Sequence, residues 1–331
     1  MYHLVGLQAQ VPRDPYVALR ARLEGFAPAQ LERALLEREV VRIGVMRGTI
    51  HLVTAADCLP LRALVQPVYD ALVWRHRDLS PLLHGVDLAP VVAFGHERLR
   101  ERPLPLPELR EALARRFPDR DAAALAYACV MLVPSVQVPP RGLWTRSARV
   151  TLAAADAWLG RKAASEPEVG ELVLRYLGAF GPATVSDATT WSRLTGLREV
   201  FERLRPRLVT FRDERGRELF DLPDAPRPDL QTPAPVRFLP EYDNVLLSHA
   251  DRSRFARADA GCRLTPPPGG LGWGAVLVDG LGSAIWRRED GDLVLRHLPL
   301  PKRRLASVVA EGRRLLRFLE ADGDVRPTEL D

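Results

Sequence analysis

Apolar and polar positions alternate along the chain in a repeating order. In "PYVALRARL" (residues 15–23) apolar residues recur at helical spacing behind Asp14-Pro15, a good first-turn pair, so a helix is predicted to open there. A second helix is expected over "PAQLERALLEREVV" (28–41). "RIGVMRGTIHLVT" (42–54) then reads as two strands joined by a tight turn at Arg47 and Gly48. Thr54 and Asp57 form a capping-box signature for a long helix running toward residue 79. The same grammar returns in "LPELREALARRFPDRDAAALAYACVML" (106–132), followed by two extended pieces around the Pro-Pro-Arg-Gly turn of "SVQVPPRGLWTRSARVTL" (135–152). It returns again in "LVLRYLGAFGPATVSDATTWSRLTGLREVFERL" (172–204), two helical runs broken at Gly181-Pro182, with a hairpin in "LVTFRDERGRELFDLP" (208–223).

Helices closed by a β-hairpin are the pattern of the winged helix, in which one helix enters a DNA groove and the hairpin touches backbone or minor groove. The same architecture also serves protein interaction or inert scaffold. The stretch "LPDAPRPDLQTPAPVR" (222–237) is Pro-rich and is expected to cross the surface as an extended connector. Beyond it, "AVLVDG", "LGSAIWRRED" and "GDLVLRHLP" predict an antiparallel meander, and "PKRRLASVVAEGRRLLRFLEA" a closing helix. The expected class is therefore α+β and mainly helical: a first unit over 1–100 with connecting helices, a second over 101–165, a third over 166–222, and a C-terminal β subdomain over 223–331.

Composition narrows the function. No apolar run approaches the ~20 residues a membrane span needs, and "MYHLVGLQAQ" lacks the basic leader and cleavage site of a secretory signal, so a cytoplasmic home is expected. Cys58, Cys129 and Cys262 are widely separated and expected to be buried reduced thiols. The seven histidines lack ligand spacing, so neither a metal nor another cofactor is expected. Of 47 basic residues only Lys162 and Lys302 are lysines and the other 45 are arginines. Planar, permanently charged guanidinium groups suit phosphate, although a GC-rich genome enriches arginine equally well.

One short stretch carries candidate chemistry. In "GLQAQ" the amides Gln8 and Gln10 flank Ala9, and residues two apart in an extended segment project to one side, so both can reach one water. The plain structural alternative is that both bond backbone ahead of the Asp14-Pro15 helix.

Six stretches, "GLQAQ", "VMRGTIHLVTAAD", "PPRGLW", "YLGAFGPATVSDATTW", "FLPEYDNVLLSHADRSR" and "GSAIWRRE", occur in an order that resembles the winged-helix DNA glycosylases of the AlkZ and YcaQ type over roughly residues 3 to 320. The resemblance implies a C-shaped assembly of three tandem winged helices with a basic channel for duplex DNA. The implied enzyme is a monomer that excises N-alkylated purines and, in some members, unhooks interstrand cross-links. The family's Gln-aliphatic-Gln signature maps onto Gln8, Ala9 and Gln10, so Gln8 and Gln10 are the catalytic candidates and the chain looks like the cross-link-competent type. Members usually carry a further N-terminal helical segment, so the first unit is expected to be shortened. Neither lysine lies in a family motif, so no Schiff base is expected and the enzyme should be monofunctional.

Further candidates flank the motifs. Arg47 is expected at a phosphate, and His51 faces the lesion or sits in a strand core. Arg141, Arg146 and Arg149 contact phosphate or form a solvated wing. Glu241, Asp243 and Asn244 hold a turn or support a cationic transition state. His249, Arg252 and Arg254 are expected on the DNA-facing side. Trp286, with Arg287 and Arg288, either probes a groove or is a buried aromatic. A winged-helix regulator without catalysis is the competing class, and it would have no need of Gln8 and Gln10.

Overall fold

The computed structural model describes residues 1–146, 148–161, 168–229, 231–255 and 272–330. It is 45% helix and 19% strand, a mixed fold in which helix dominates, as expected. No helix among the described residues is long and apolar enough to cross a membrane. The chain forms two compact units, one of residues 1–13 and 27–225 and one of residues 14–26 and 226–331.

The first unit is organised by a six-stranded antiparallel sheet. Its strands are β1 (Leu7–Gln8), β2 (Val40–Gly44), β3 (Ile50–Thr54), β4 (Leu104–Pro105), β5 (Ser135–Gln137) and β6 (Thr151–Ala154), in the order β1-β3-β2-β5-β6-β4. Register aligns Gln8, His51, Ile43, Val136 and Ala153 in one row, and Leu7, Leu52, Arg42, Gln137 and Leu152 in the next. Opposed residues share a face and successive rows alternate faces. Ile43, Val136 and Ala153 belong to the main hydrophobic core, with Tyr176, Trp191 and Phe201. Gln8 and His51 therefore place two polar groups in the row that feeds that core.

β1 approaches β3 so closely that Gly6 is required. Its φ is +96°, and a Cβ there would lie 2.9 Å from Val53 Cγ1 and 3.0 Å from the Leu52 carbonyl oxygen. The β2–β3 hairpin turns through Met46–Gly48 as expected, with both Arg47 (φ 59°) and Gly48 (φ 71°) in the left-handed region. At Gly48 a Cβ would collide with the Leu72 side chain.

Several boundaries differ from the sequence expectation. The second helix is Pro28–Leu36, because Val40 and Val41 already pair in β2. The long helix after Thr54 is two, Ala55–Leu64 and Gln66–Leu72, with Pro67 in the first turn of the second, where its missing N–H costs nothing. Thr54 accepts from the Asp57 N–H at 3.1 Å, but the Asp57 carboxylate is taken by Arg175 at 2.7 and 2.9 Å, so the reciprocal half of the capping box is absent. Helices Leu106–Arg116 and Ala122–Leu132 stand as expected, the latter capped by Asp121. The run after Gly181-Pro182 splits at Arg193 (φ 66°) and Gly196 (φ 72°) into Val185–Ser192 and Leu197–Leu204. The hairpin of β7 (Val209–Arg212) and β8 (Glu218–Asp221) follows.

In the second unit a five-stranded sheet, ordered β13-β12-β11-β10-β9, contains the expected meander of β10 (Gly274–Val278), β11 (Leu281–Glu289) and β12 (Asp292–His297). Two edge strands join it, β9 (Arg237–Leu239) and β13 (Val325–Glu329), the latter parallel to β12. The helix Lys302–Phe318 forms as expected but does not close the chain, because β13 comes after it. Cys58 and Cys129 are buried and free, with burial pushing both thiols up to about 12. Lys162 and Cys262 lie outside the described residues.

Candidate active site

Gln8 lies opposite His51 across β1 and β3 and is 7% exposed. One guanidinium organises the pair. Arg47 Nη2 donates to Gln8 Oε1 at 2.8 Å and to His51 Nε2 at 3.2 Å, and its Nη1 donates to the Trp191 carbonyl at 2.8 Å. His51 Nδ1 lies 3.0 Å from the Thr49 carbonyl, which only accepts, so the ring carries its proton on Nδ1 and accepts at Nε2. Complete burial, and then the Arg47 charge, draw His51 down to about 3, so it is neutral throughout the physiological range. Burial, and secondarily Arg193, lower Arg47 to about 10, where it is still fully charged at neutral pH.

These partners fix which end of each amide is which. Arg47 only donates, so the Gln8 atom facing it must be the carbonyl oxygen. Gln10 stands at a bend just past the end of β1, and its Oε1 accepts from the Ile50 backbone N–H at 3.2 Å. Both carboxamides thus end on the same turn, residues 47 to 50. Each oxygen keeps one lone pair, and the NH2 groups are the ends left for a ligand. Between them, Ala9 is tied on both sides: its N–H donates to the Ile50 carbonyl at 2.7 Å and its carbonyl accepts from buried Arg42 at 2.7 Å. The extended stretch expected through Gln10 is shorter than the sequence implied, because the ladder ends as the chain turns toward Pro12.

The remaining candidates separate into two groups. Arg47 faces inward as the hub just described, and His51, 1% exposed, occupies the strand-core position. Arg141 bonds the Gln137 side chain and the Ala148 carbonyl within its own loop, while Arg146 and Arg149 are exposed on that loop. Trp286 is 8% exposed, donates Nε1–H to the Leu239 carbonyl at 2.8 Å and packs edge-on against Phe238. It packs in the core of the second unit, the buried-aromatic alternative of the sequence reading. Arg287 lies over Trp273 and pairs with Glu289, and Arg288 is exposed. His249 is buried between Ser248 and Arg254, with Arg252 and Arg254 exposed beside it.

The "PEYDN" stretch holds a turn and more. Asp243 accepts from the Val245 N–H as a helix cap and takes both prongs of Arg22 at 2.7 and 2.8 Å, while Asn244 is buried. Beside them, Asp14 is raised to about 7, by burial first and then by the charges of Glu241 and Asp243. Its Oδ2 is buried without a hydrogen-bond partner. The sequence marks Asp14 only as a helix start, and nothing local signals that Glu241 and Asp243 come back to it.

Among the described residues of the first unit, two clefts bear on the site question. One, of about 500 Å3, is lined by Arg47. The other, of about 790 Å3 and mainly apolar, runs past Val92, His96 and Leu132 and contains none of the predicted site residues.

Hairpin-bearing helical units, an arginine-rich chain and an amide pair held on a hairpin turn are compatible with a DNA-acting protein, and the family comparison makes the class specific. The chain belongs to the AlkZ-like DNA glycosylase family, whose model, described as DNA glycosylase AlkZ-like, matches residues 1–318. It is a DNA glycosylase, a hydrolase of DNA repair. Among solved structures it is similar in fold to the Streptomyces sahachiroi DNA glycosylase AlkZ, with a TM-score of 0.78 and 20% identity, covering 99% of this chain and 92% of that one. A search of the curated proteins found no match.

Proposed function

We propose that the protein is a monofunctional glycosylase for purines alkylated at N7 or N3, with Gln8 and Gln10 orienting the attacking water. An alkylated purine is already cationic, so it departs as a neutral base without a general acid. Water attacks C1′ of the deoxyribose, the N-glycosidic bond breaks with its electron pair going to the purine, and the water's proton passes to solvent, leaving an abasic site. The sugar carries oxocarbenium character on the way, so the protein has only to place the water and tolerate positive charge. Neutral amides suit this task. The free lone pair of each Oε1 accepts from the water, and the NH2 groups donate to acceptors on the lesion.

The observation that carries this reading is the locking of both carboxamides onto one hairpin turn, Gln8 by Arg47 and Gln10 by the Ile50 N–H. Such preorganisation removes the entropy of positioning from the chemical step. The three helix–hairpin segments, 1–100, 101–165 and 166–222, serve in this reading as winged-helix units that hold duplex DNA, with Arg146 and Arg149 as phosphate contacts. Bulky interstrand cross-links belong to the same substrate class. The protein acts as a monomer.

The test is base release from duplex DNA carrying 7-methylguanine. The wild-type protein should free the base and leave an unbroken abasic strand, and Gln8→Ala should lose release while keeping duplex affinity. Strand nicking that co-purifies with the protein through successive columns would refute the monofunctional assignment. No release by the wild type would refute the substrate.

A further inference from the structure

The cleft beside Arg47 has an unusual lining. Its walls are apolar, including Leu64, Val68, Leu72 and Leu194, and three guanidinium groups, those of Arg47, Arg75 and Arg193, line it without any carboxylate. Arg75 and Arg193 are exposed and have no acidic partner among the described residues. Ion pairs occupy many other arginines of this chain, Arg22, Arg98, Arg175 and Arg205 among them. Three like charges around one concavity repel until an anion enters, and the apolar walls, by excluding water, strengthen the attraction once it does. Arg47 and Arg193 are both held at positive φ, 59° and 66°, a conformation that L residues adopt at a cost and that clusters at ligand sites.

Arg47 faces two ways. It lines the cleft and also holds Gln8 Oε1 through Nη2. We propose that the cleft is a phosphodiester subsite, in which Arg75 and Arg193 take one backbone phosphate of the bound DNA and Arg47 couples that phosphate to the orientation of Gln8. Guanidinium forks match the paired oxygens of a phosphodiester, and backbone phosphates set the register of a protein on a duplex without reading sequence. Arg47 is a positioning residue in this scheme. The phosphate supplies the counter-charge the three arginines lack, and the Arg47 fork holds Gln8 still as the lesion arrives. The proposal rests on Gln8 belonging to the hydrolytic site.

Two measurements test it. Duplex affinity is measured between 50 and 200 mM salt for the wild type, for Arg75→Ala, and for Arg75→Ala combined with Arg193→Asn, Asn being chosen because it tolerates the left-handed region. One phosphate contact contributes about 0.9 to the slope of log affinity against log salt, so the double variant should show a slope shallower by about 0.9. Its half-saturating duplex concentration should rise about tenfold at low salt. Arg47→Lys keeps the charge but cannot span Gln8, His51 and Trp191, so it should retain the slope and lower the single-turnover rate at saturating DNA about tenfold. Far-ultraviolet circular dichroism checks each fold, and if the Asn variant fails to fold, Arg75→Ala alone carries the slope test. An unchanged slope overturns the subsite. So does tight calorimetric binding of inorganic phosphate that disappears in the double variant while its duplex slope stays unchanged, since the cleft would then serve a free anion. If the wild type releases no base, the glycosylase reading of Gln8 falls, while the slope still decides the phosphate.

Discussion

Replacing Asp14 by Asn should stabilise the protein by an amount that grows with pH. Asp14 ionises at about 7 instead of its ordinary 3.8, because burial and the neighbouring Glu241 and Asp243 penalise its charge, and the buried Oδ2 lacks a partner. Its pKa is raised in the folded state, so between pH 4 and pH 7 the native protein holds a proton that the unfolded chain has released. The favourable state is intact below about pH 4, and stability is lost as pH rises through 7. At 1.36 kcal/mol per unit, the raised pKa of Asp14 costs about 1.5 kcal/mol at pH 5, where the folded protein must keep the carboxyl protonated, and about 4 kcal/mol at pH 8, where it is buried ionised. Asn keeps the shape, cannot ionise, and offers an NH2 to the carboxylates beside it. Urea unfolding of wild type and variant at pH 5 and pH 8, followed by circular dichroism, gives the difference directly, and titrations elsewhere cancel in it, including that of His51, whose pKa is depressed and whose effect has the opposite sign. A difference that does not grow with pH, or a variant less stable than wild type at pH 8, would refute the reasoning.

Gly6→Ala should cost about 3 kcal/mol and slow base release, because a Cβ at φ +96° meets Val53 and the Leu52 carbonyl and pushes β1 off β3; chemical denaturation and single-turnover kinetics read both effects. Trp286→Phe should lower stability by about 1–2 kcal/mol through the lost bond to the Leu239 carbonyl while leaving duplex affinity unchanged, and a loss of affinity in a folded variant would return Trp286 to the DNA. The rate of base release at saturating DNA should be flat from pH 5 to pH 8, since neither amide titrates and His51 is neutral down to about 3. A break near pH 6.5 would show an ordinary histidine at work.

The elements built from local signals were legible in the sequence. Alternation with Gly48 at the turn gives the first hairpin, Asp-Gly pairs give the meander, and Gly181-Pro182 marks a true helix break. The misses depend on partners distant in sequence. β13 contains Pro327, which argues against a strand, and it pairs only because β12 offers a free parallel edge. The break at Arg193 falls on a residue with no intrinsic taste for positive φ, so no local pattern announces it. In the candidate site the glutamines were visible as a motif, yet the lock on them was not. It depends on the register that sets Gln8 opposite His51 and on a turn that folds the Arg47 side chain back onto Gln8 and the Trp191 carbonyl. Trp286 is settled in the same way: the sequence left a groove probe and a buried aromatic both open, and the distant Leu239 carbonyl on β9 is the partner that accompanies its burial.

In the proposed mechanism Gln8 and Gln10 act together on one water, and a double-mutant cycle of single-turnover base release from a 7-methylguanine duplex measures that directly. Each Gln→Ala change should slow release about 10²-fold with the duplex bound as before, and the double variant should be no slower than the slower single, because the second amide has nothing left to orient once the first is gone. Single-variant losses that multiply in the double, or rates that barely change, would contradict it.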